Sequence, residues 1–175
     1  LLAMVGHELR SPMEAVIAMA DLLLASPLDP TQARYAETLH RSARSLLSVL
    51  NEVLDFSRLE AGRMELKQAS FDLHELIRSV GAALQERANE KGLTGGVDMG
   101  ASCPRVIVGD AARLRQVLMS FVDNALKYTS IGSVRLHASA SERDGRLLLR
   151  FDVTDTGVGL SKAVQERLFQ PYVQI

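Results

Sequence analysis

A histidine and a glutamate, His7 and Glu8, stand next to each other in the segment MVGHELRSPM, and Pro12 follows five residues after the histidine. The apolar residues of this region recur at helical spacing. A proline inside a helix removes one backbone hydrogen bond and clashes with the preceding turn, which costs about 3 kcal/mol. We therefore expect a bend near His7 and take this histidine as the first candidate for chemistry.

Asn124 and Lys127 lie three residues apart in RQVLMSFVDNALKYT, a segment with the apolar spacing of a helix. Residues three apart share a helix face, so the carboxamide and the ammonium group are neighbours. An amide oxygen can bind Mg²⁺ and a lysine can bind phosphate, and a nucleoside triphosphate requires both. For this helix alone, a solvent-exposed polar face remains the simpler interpretation.

The segment DTGVGL places Gly157 and Gly159 directly after Asp155, at the end of a predicted strand. Glycines let the backbone approach a ligand closely, and a carboxylate at a strand end can accept a hydrogen bond. An ordinary strand-to-helix turn explains the same residues equally well. Both interpretations stay open for this segment by itself.

Two long helices are predicted to carry the first of these motifs. One covers residues 2–25, and the next begins with Asp29 as N-cap, Pro30 in the first helical position and Gln32 completing a capping box. It runs to a stop at Gly62. Such a hairpin has apolar stripes but too few layers to close a core, which predicts a homodimer that forms a four-helix bundle.

The second half of the sequence predicts a two-layer α/β sandwich that positions the other two motifs. The expected elements are helices over 73–91, capped by Asp72, and 110–127, strands over 133–140 and 146–155 joined by Asp144-Gly145, and a loop over 92–109. The composition changes after Gly62, and RMELKQASF alternates as a short strand or a linker. We predict a first domain at 1–62, a linker at 63–71 and a second domain at 72–175.

The overall composition argues against several classes of protein. Lys and Arg number 20 and Asp and Glu 21, for a net charge of -1, which does not favour a nucleic-acid or membrane-surface partner. The one cysteine, Cys103, cannot form an internal disulfide and lacks the spacing of a zinc site. No apolar run approaches the ~20 residues that cross a bilayer. We expect a cytoplasmic fragment, cut at both ends, and leave open whether the whole protein is anchored in a membrane.

Four segments, in this order, resemble the conserved boxes of sensor histidine kinases of two-component systems. GHELRSPM resembles the H box, RQVLMSFVDNALKYT the N box, DTGVGL the first glycine box and LFQPY the F box. The resemblance implies a dimerisation and phosphotransfer hairpin followed by an ATP-binding domain of the GHKL type. The second glycine box of the family is missing from the sequence, so the resemblance implies an ATP-binding domain truncated at its C-terminus.

The same resemblance implies a role for each matched residue. His7 matches the phosphoacceptor, and Glu8 can take or stabilise the proton on its ring. The remaining matches are Asn124 as Mg²⁺ ligand, Lys127 as phosphate contact, Tyr128 as a neighbour of the nucleotide, Asp155 as the group that recognises the adenine amino group, and Gly157 and Gly159 as the hinge of the nucleotide lid. The implied ligands are ATP and Mg²⁺. The implied partner is a response-regulator receiver domain, separate or in the same polypeptide.

The sequence departs from the family pattern at three places. Ser120 stands where the family usually has a first asparagine, which predicts weaker Mg²⁺ binding. Ser11 stands where threonine is common and keeps a hydroxyl, so phosphatase activity toward a partner stays open. Gly6 replaces the usual serine before the histidine and adds local flexibility.

Two other functions remain alternatives. A GHKL-type ATPase, like gyrase or Hsp90, would need a water-activating glutamate where this chain has Ser120, which argues against hydrolysis. A degenerate kinase that dimerises and docks a receiver domain without turnover has Ser120 as its one support. Nucleotide binding would separate this docking module from an active kinase.

Overall fold

The computed structural model describes the backbone of residues 2–165 and the side chains of residues 8–162 and 164–165. The chain divides into two compact units, with the boundary between Glu65 and Leu66. The predicted F box, at 168–172, lies outside the described residues. Within them, no helix is long and apolar enough to cross a membrane.

The first unit is a helical hairpin, as the sequence predicted. Helix α1 covers Leu2–Leu24 and runs through Pro12, and α2 covers Pro30–Glu60. The Asp29 carboxylate accepts from the Thr31 and Gln32 N–H groups at 2.8 and 2.9 Å, and Gln32 Oε1 accepts from Asp29 N–H at 3.2 Å. This completes the predicted capping box. Gly62 follows α2 in the left-handed region, with φ 63°.

The apolar residues of the two helices fall into two groups. One group packs between α1 and α2, where Ala20, Ala36, Ala43 and Leu54 are buried. The other group stays exposed and includes Leu9, Val16, Met19 and Leu23 on α1 and Tyr35, Leu39, Leu46, Val49, Val53 and Phe56 on α2. The exposed residues of α2 recur mainly at intervals of three and four, the spacing of a helix–helix contact. The hairpin therefore carries one apolar face more than its own packing uses.

The second unit is a two-layer α/β sandwich. Its elements are β1 (Ala69–Asp72), α3 (Leu73–Glu90), β2 (Thr94–Met99), β3 (Val106–Gly109), α4 (Ala111–Tyr128), β4 (Ser133–Arg143), β5 (Arg146–Asp155) and the short α5 (Lys162–Gln165). Strand β4 lies between β2, which is parallel to it, and β5, which is antiparallel. Strands β1 and β3 form a separate antiparallel pair. The core contains Leu73, Ile77, Val80, Leu84, Leu118, Val122, Val134 and Leu136.

The loop predicted over 92–109 was wrong, because β2 and β3 lie within it. Gly95 and Gly96 weaken the strand signal in the sequence. In the fold Gly95 serves close packing, since a Cβ added to it would lie 3.0 Å from the Gln85 Cα of α3. The predicted linker, 63–71, likewise runs into β1, which pairs with β3.

The hairpin between β4 and β5 follows the prediction. Arg143 pairs with Arg146, which leaves a two-residue loop. Asp144 and Gly145 both have positive φ, 53° and 70°, as a type I′ turn requires. The turn fixes the register of β5 and hence the position of Asp155 at its end.

Candidate functional site

Helix α4 is fixed at its start by Asp110. One carboxylate oxygen accepts from Arg113 N–H at 3.0 Å and caps the helix, and the other accepts from Lys67 N–H at 3.1 Å. These backbone hydrogen bonds, from Arg113 first and Lys67 second, hold the pKa of Asp110 below its ordinary value. The cap thus joins α4 to the segment that precedes β1.

The far end of α4 is held by α3. Arg87 pairs with Asp123, and Lys91 Nζ donates to the Leu126 carbonyl at 2.8 Å. Leu126 is itself buried in the core. The last turn of α4 therefore has a defined position relative to the sheet and to α3.

Three predicted site residues lie exposed on this last turn. They are Asn124, Lys127 and Tyr128, and the Lys127 ammonium lies 5.0 Å from the centre of the Tyr128 ring. A cation over an aromatic face is a favourable contact that orients both groups. The turn therefore presents an amide, a cation and an aromatic ring together.

The end of β5 contacts this turn through Gly157. A Cβ added to Gly157 would lie 2.5 Å from the Tyr128 carbonyl oxygen and 2.8 Å from Asp155 Oδ1, so no other residue fits without a shift. The Gly157 N–H donates to Asp155 Oδ1 at 2.8 Å, and the Asp155 side chain is exposed. The fold brings the two motifs of the second unit into direct contact.

Gly159 meets a different requirement. Its φ is +66°, and a Cβ added there would have no atom within 4 Å. Backbone conformation, rather than space, explains the glycine. Gly157 is thus required for lack of space and Gly159 for its backbone conformation, although the sequence analysis gave both the same explanation.

Two residues of the site were missed by the sequence analysis. The Thr156 hydroxyl accepts from Ser133 N–H at 3.0 Å and lies 3.3 Å from the Ile131 carbonyl oxygen, to which it donates. Gly132, with φ +115°, leaves room for that hydroxyl. The available signal was a hydroxyl residue beside Asp155 and a glycine before β4, but only the fold shows that they meet.

Thr129 is the C-cap of α4 and is buried, with 3% of its surface exposed. Its hydroxyl oxygen has no hydrogen-bond partner within the described part of the chain. Buried hydroxyls are normally satisfied by protein, water or ligand. An unpaired buried hydroxyl, a glycine-lined turn and an exposed amide and ammonium fit a site for a polar ligand.

The exposed residues of α4 also fit a metal ion that is bound together with a nucleotide. Among the side chains that the structure describes, no group of three or more His, Cys, Asp or Glu could hold a metal ion. Asn124 offers a single amide oxygen, a hard donor suited to Mg²⁺. Phosphate oxygens of a nucleotide would have to supply other ligands.

His7 and Glu8 belong to the first unit and lie on α1. Glu8 is exposed, and the His7 side chain is outside the described set. Arg10 donates to Asn51 Oδ1 at 2.8 Å and so links α1 to α2 three residues after the histidine. This hydrogen bond joins the two helices within the predicted H box.

Two family models match the chain. The His Kinase A (phospho-acceptor) domain matches residues 1–62, and the histidine kinase-, DNA gyrase B-, and HSP90-like ATPase matches residues 109–174. The first match covers the hairpin, and the second covers α4, β4, β5 and the Asp155–Gly159 turn.

Curated relatives match over almost the whole chain. The sensory/regulatory protein RpfC of Xanthomonas campestris pv. campestris is 39% identical over 99% of this chain, and the signal transduction histidine-protein kinase BarA of Escherichia coli K12 is 36% identical over 99%. The chain spans 24% of the first relative and 19% of the second.

A solved structure of a similar protein has the same fold over almost the whole chain. The crystal structure of full-length ShkA in complex with AMPPNP superposes with a TM-score of 0.76 at 39% identity, covering 99% of this chain and 36% of that one. The hairpin and the sandwich of this chain thus share the fold of the matched part of ShkA. The chain thus combines a His Kinase A (phospho-acceptor) domain with a histidine kinase-, DNA gyrase B-, and HSP90-like ATPase domain.

Proposed function

We propose that this chain forms the core of an ATP-dependent protein histidine kinase. It phosphorylates His7 and passes the phosphoryl group to an aspartate of a response-regulator receiver domain. The observation that carries the proposal is the contact between the last turn of α4 and the Asp155–Gly157 turn. That contact occurs in a chain whose other unit matches the phospho-acceptor domain.

The adenine end of the nucleotide is assigned to Asp155. One oxygen of its carboxylate is fixed by the Gly157 N–H, so the other can accept a hydrogen bond from the adenine amino group. Guanine carries a carbonyl at the matching position and cannot donate there. The bound AMPPNP of the ShkA structure supports an adenine nucleotide as the ligand of this fold.

The phosphate end is assigned to the exposed residues of α4. Lys127 supplies a positive charge for the phosphates, and Asn124 would hold the Mg²⁺ that accompanies them. When bound, this ion neutralises negative charge on the phosphate oxygens. Tyr128 keeps the Lys127 ammonium beside the site through its ring. Gly159, with its left-handed backbone, is proposed as a hinge of the lid over the nucleotide, together with Gly157.

The phosphoryl transfer uses the histidine and its neighbour. A neutral His7 ring nitrogen forms a bond to the γ-phosphorus while the bond from that phosphorus to the β–γ bridging oxygen breaks, which releases ADP. Glu8 accepts the proton from the other ring nitrogen. The N–P bond then breaks as a carboxylate oxygen of the receiver domain binds the phosphorus.

The kinase is proposed to act as a homodimer. Each hairpin exposes apolar side chains on both helices, including Leu46, Val49 and Val53, which are 57%, 52% and 50% exposed. A second hairpin of the same sequence would cover them in a four-helix bundle.

The proposal is tested by labelling the whole protein with γ-labelled ATP. Wild type should incorporate label, and His7→Ala should incorporate none. His40→Ala is the matched control, because His40 lies in the same hairpin and pairs with Asp21. An unlabelled wild type, or a His7→Ala protein labelled as well as His40→Ala, would remove the basis for the assignment.

A further inference from the structure

We infer that Thr156 is a positioning residue for nucleotide recognition. Its hydroxyl fastens the turn that carries Asp155 to the loop before β4. The inference rests on the proposed function, because it assigns Thr156 to the same adenine site. Thr156 itself is not expected to touch the nucleotide.

The hydroxyl joins two backbone groups that no strand pairing serves. It accepts from Ser133 N–H at 3.0 Å and donates to the Ile131 carbonyl at 3.3 Å. The Thr156 N–H also donates to the Ser133 carbonyl at 3.1 Å. Backbone and side chain of one residue thus bind the same loop, which fixes the rotation of the turn as well as its position.

Gly132 gives independent support for this arrangement. A Cβ added to it would lie 2.1 Å from the Thr156 hydroxyl oxygen, and its φ of +115° is one that other residues rarely adopt. The loop therefore uses a glycine at the point where the hydroxyl enters. The free space at Gly132 and its backbone conformation both allow the Thr156 side chain to lie against this loop.

The consequence for Asp155 follows from its neighbours. Asp155 pairs with Val134 at the end of β5, and Gly157 is pressed against the Tyr128 carbonyl. Thr156 is the residue between these two fixed points. When its hydroxyl is removed, the turn can rotate, and the Asp155 carboxylate loses its fixed direction toward the adenine amino group.

The effect is expected on recognition rather than on folding. Thr156 is exposed and lies outside the hydrophobic core. Loss of one hydrogen-bonding group of this kind is worth about a 10-fold change in an equilibrium constant. We therefore expect weaker ATP binding with the fold intact.

The test measures ATP and GTP binding, and autophosphorylation against ATP concentration, in the whole protein. Thr156→Val keeps the shape and removes the hydroxyl, and Thr156→Ser restores the hydroxyl. Thr154→Val is the matched control, because Thr154 lies on β5 next to Asp155, pairs with Arg135 and is exposed on the face of the sheet opposite to Asp155. We expect Thr156→Val to raise Kd and KM for ATP about 10-fold, with kcat at saturating ATP retained and the preference for ATP over GTP reduced. Thr156→Ser and Thr154→Val should bind as wild type does.

The possible failures are distinguishable. If wild type binds ATP and Thr156→Val binds it equally well and with the same selectivity, the positioning role is wrong while the proposed function stands. If wild type binds no ATP, the proposed function is wrong and this inference falls with it. If Thr156→Val does not fold, Thr156→Ala decides by the same readouts. A loss that appears equally in Thr154→Val would also overturn the inference, because it would reflect the strand and not the hydroxyl.

Discussion

Asp155 and Asp152 lie three residues apart on β5 and therefore face opposite sides of the sheet. Asp155 pairs in register with the buried Val134, whereas Asp152 pairs with His137 and accepts from Arg150. The two carboxylates have the same chemistry and the same strand, but only Asp155 adjoins the end of α4. Replacing each aspartate in turn therefore distinguishes a role in ligand binding, expected of Asp155 alone, from a general effect of losing a negative charge on β5.

We predict that Asp155→Ala weakens ATP binding by about 10- to 100-fold, because a hydrogen bond to a charged acceptor contributes about 1.5–3 kcal/mol. GTP binding should change little, because guanine has no amino group at the position where adenine donates to Asp155. Isothermal titration of the whole protein with each nucleotide gives both values. Asp152→Ala should behave as wild type, and equal binding of ATP and GTP by wild type would refute this role for Asp155.

The second prediction concerns Ser120, one helical turn before Asn124 and exposed on α4. Ser120→Asn should tighten Mg²⁺-ATP binding or raise the labelling rate, because an amide one turn away can help hold the ion or its ordered water. Ser120→Ala should change little. A titration of labelling rate against Mg²⁺ at fixed ATP compares the three proteins. If Ser120→Ala loses as much activity as Asn124→Ala, the serine already acts as a ligand.

The third prediction concerns Glu8. Glu8→Gln should retain ATP binding and lose autophosphorylation by about 10²-fold or more, since it removes the proton acceptor. Glu14→Gln, six residues further along α1, is a control for loss of charge on the same helix. Equal labelling rates for Glu8→Gln and wild type would show that Glu8 is an ordinary surface side chain.

At the scale of elements, aspartate caps begin both long helices of the sandwich. Asp72 accepts from Glu75 N–H at 2.9 Å and from Arg105 Nε at 2.9 Å, and these contacts hold its pKa below the ordinary value. Asp110 has a lowered pKa for a similar reason, with backbone donors from Arg113 and Lys67. Both caps need the ionised carboxylate to hold the helix start and its neighbouring segment together.

A fourth prediction follows for acid stability. Because both folded pKa values lie below those of the unfolded chain, the stabilisation is present above about pH 4 and is lost as the pH falls through the lowered values. The free energy of unfolding should therefore fall in this range, and Asp110→Asn should flatten the dependence. Urea unfolding at several pH values measures it, with the exposed turn variant Asp144→Asn as control. A slope unchanged in Asp110→Asn would contradict the assignment of the cap.

The elements also show what a sequence can and cannot predict. The Asp29 capping box and the Asp144-Gly145 turn were predictable because their chemistry is local. Strand β2 was not, because Gly95 and Gly96 carry no strand preference, and the need for Gly95 appears only where α3 packs on it. The contact of Thr156 with the loop before β4 joins residues 23 or more apart in sequence, so no local pattern indicates it.

At the scale of the whole molecule, the hairpin leaves an apolar face that its own packing does not use. The fifth prediction is that Val49→Glu dissociates the homodimer, because a charge buried between two hairpins is strongly unfavourable. Ser48→Glu adds the same charge at an exposed polar position about 100° around α2 from Val49, away from the apolar face, and should leave the dimer intact. Sedimentation of the whole protein across a concentration series measures the change. A Val49→Glu protein that stays as dimeric as Ser48→Glu would contradict the proposed bundle.

The central claim is that the site formed by α4 and the Asp155 turn delivers a phosphoryl group to His7. The most direct measurement is the chemical identity and position of the phosphoryl group after incubation of the whole protein with γ-labelled ATP. We expect a label that is stable in base and labile in acid, as phosphohistidine is, on the peptide that contains His7. An acid-stable label, or a phosphorylated peptide that does not include His7, would contradict it.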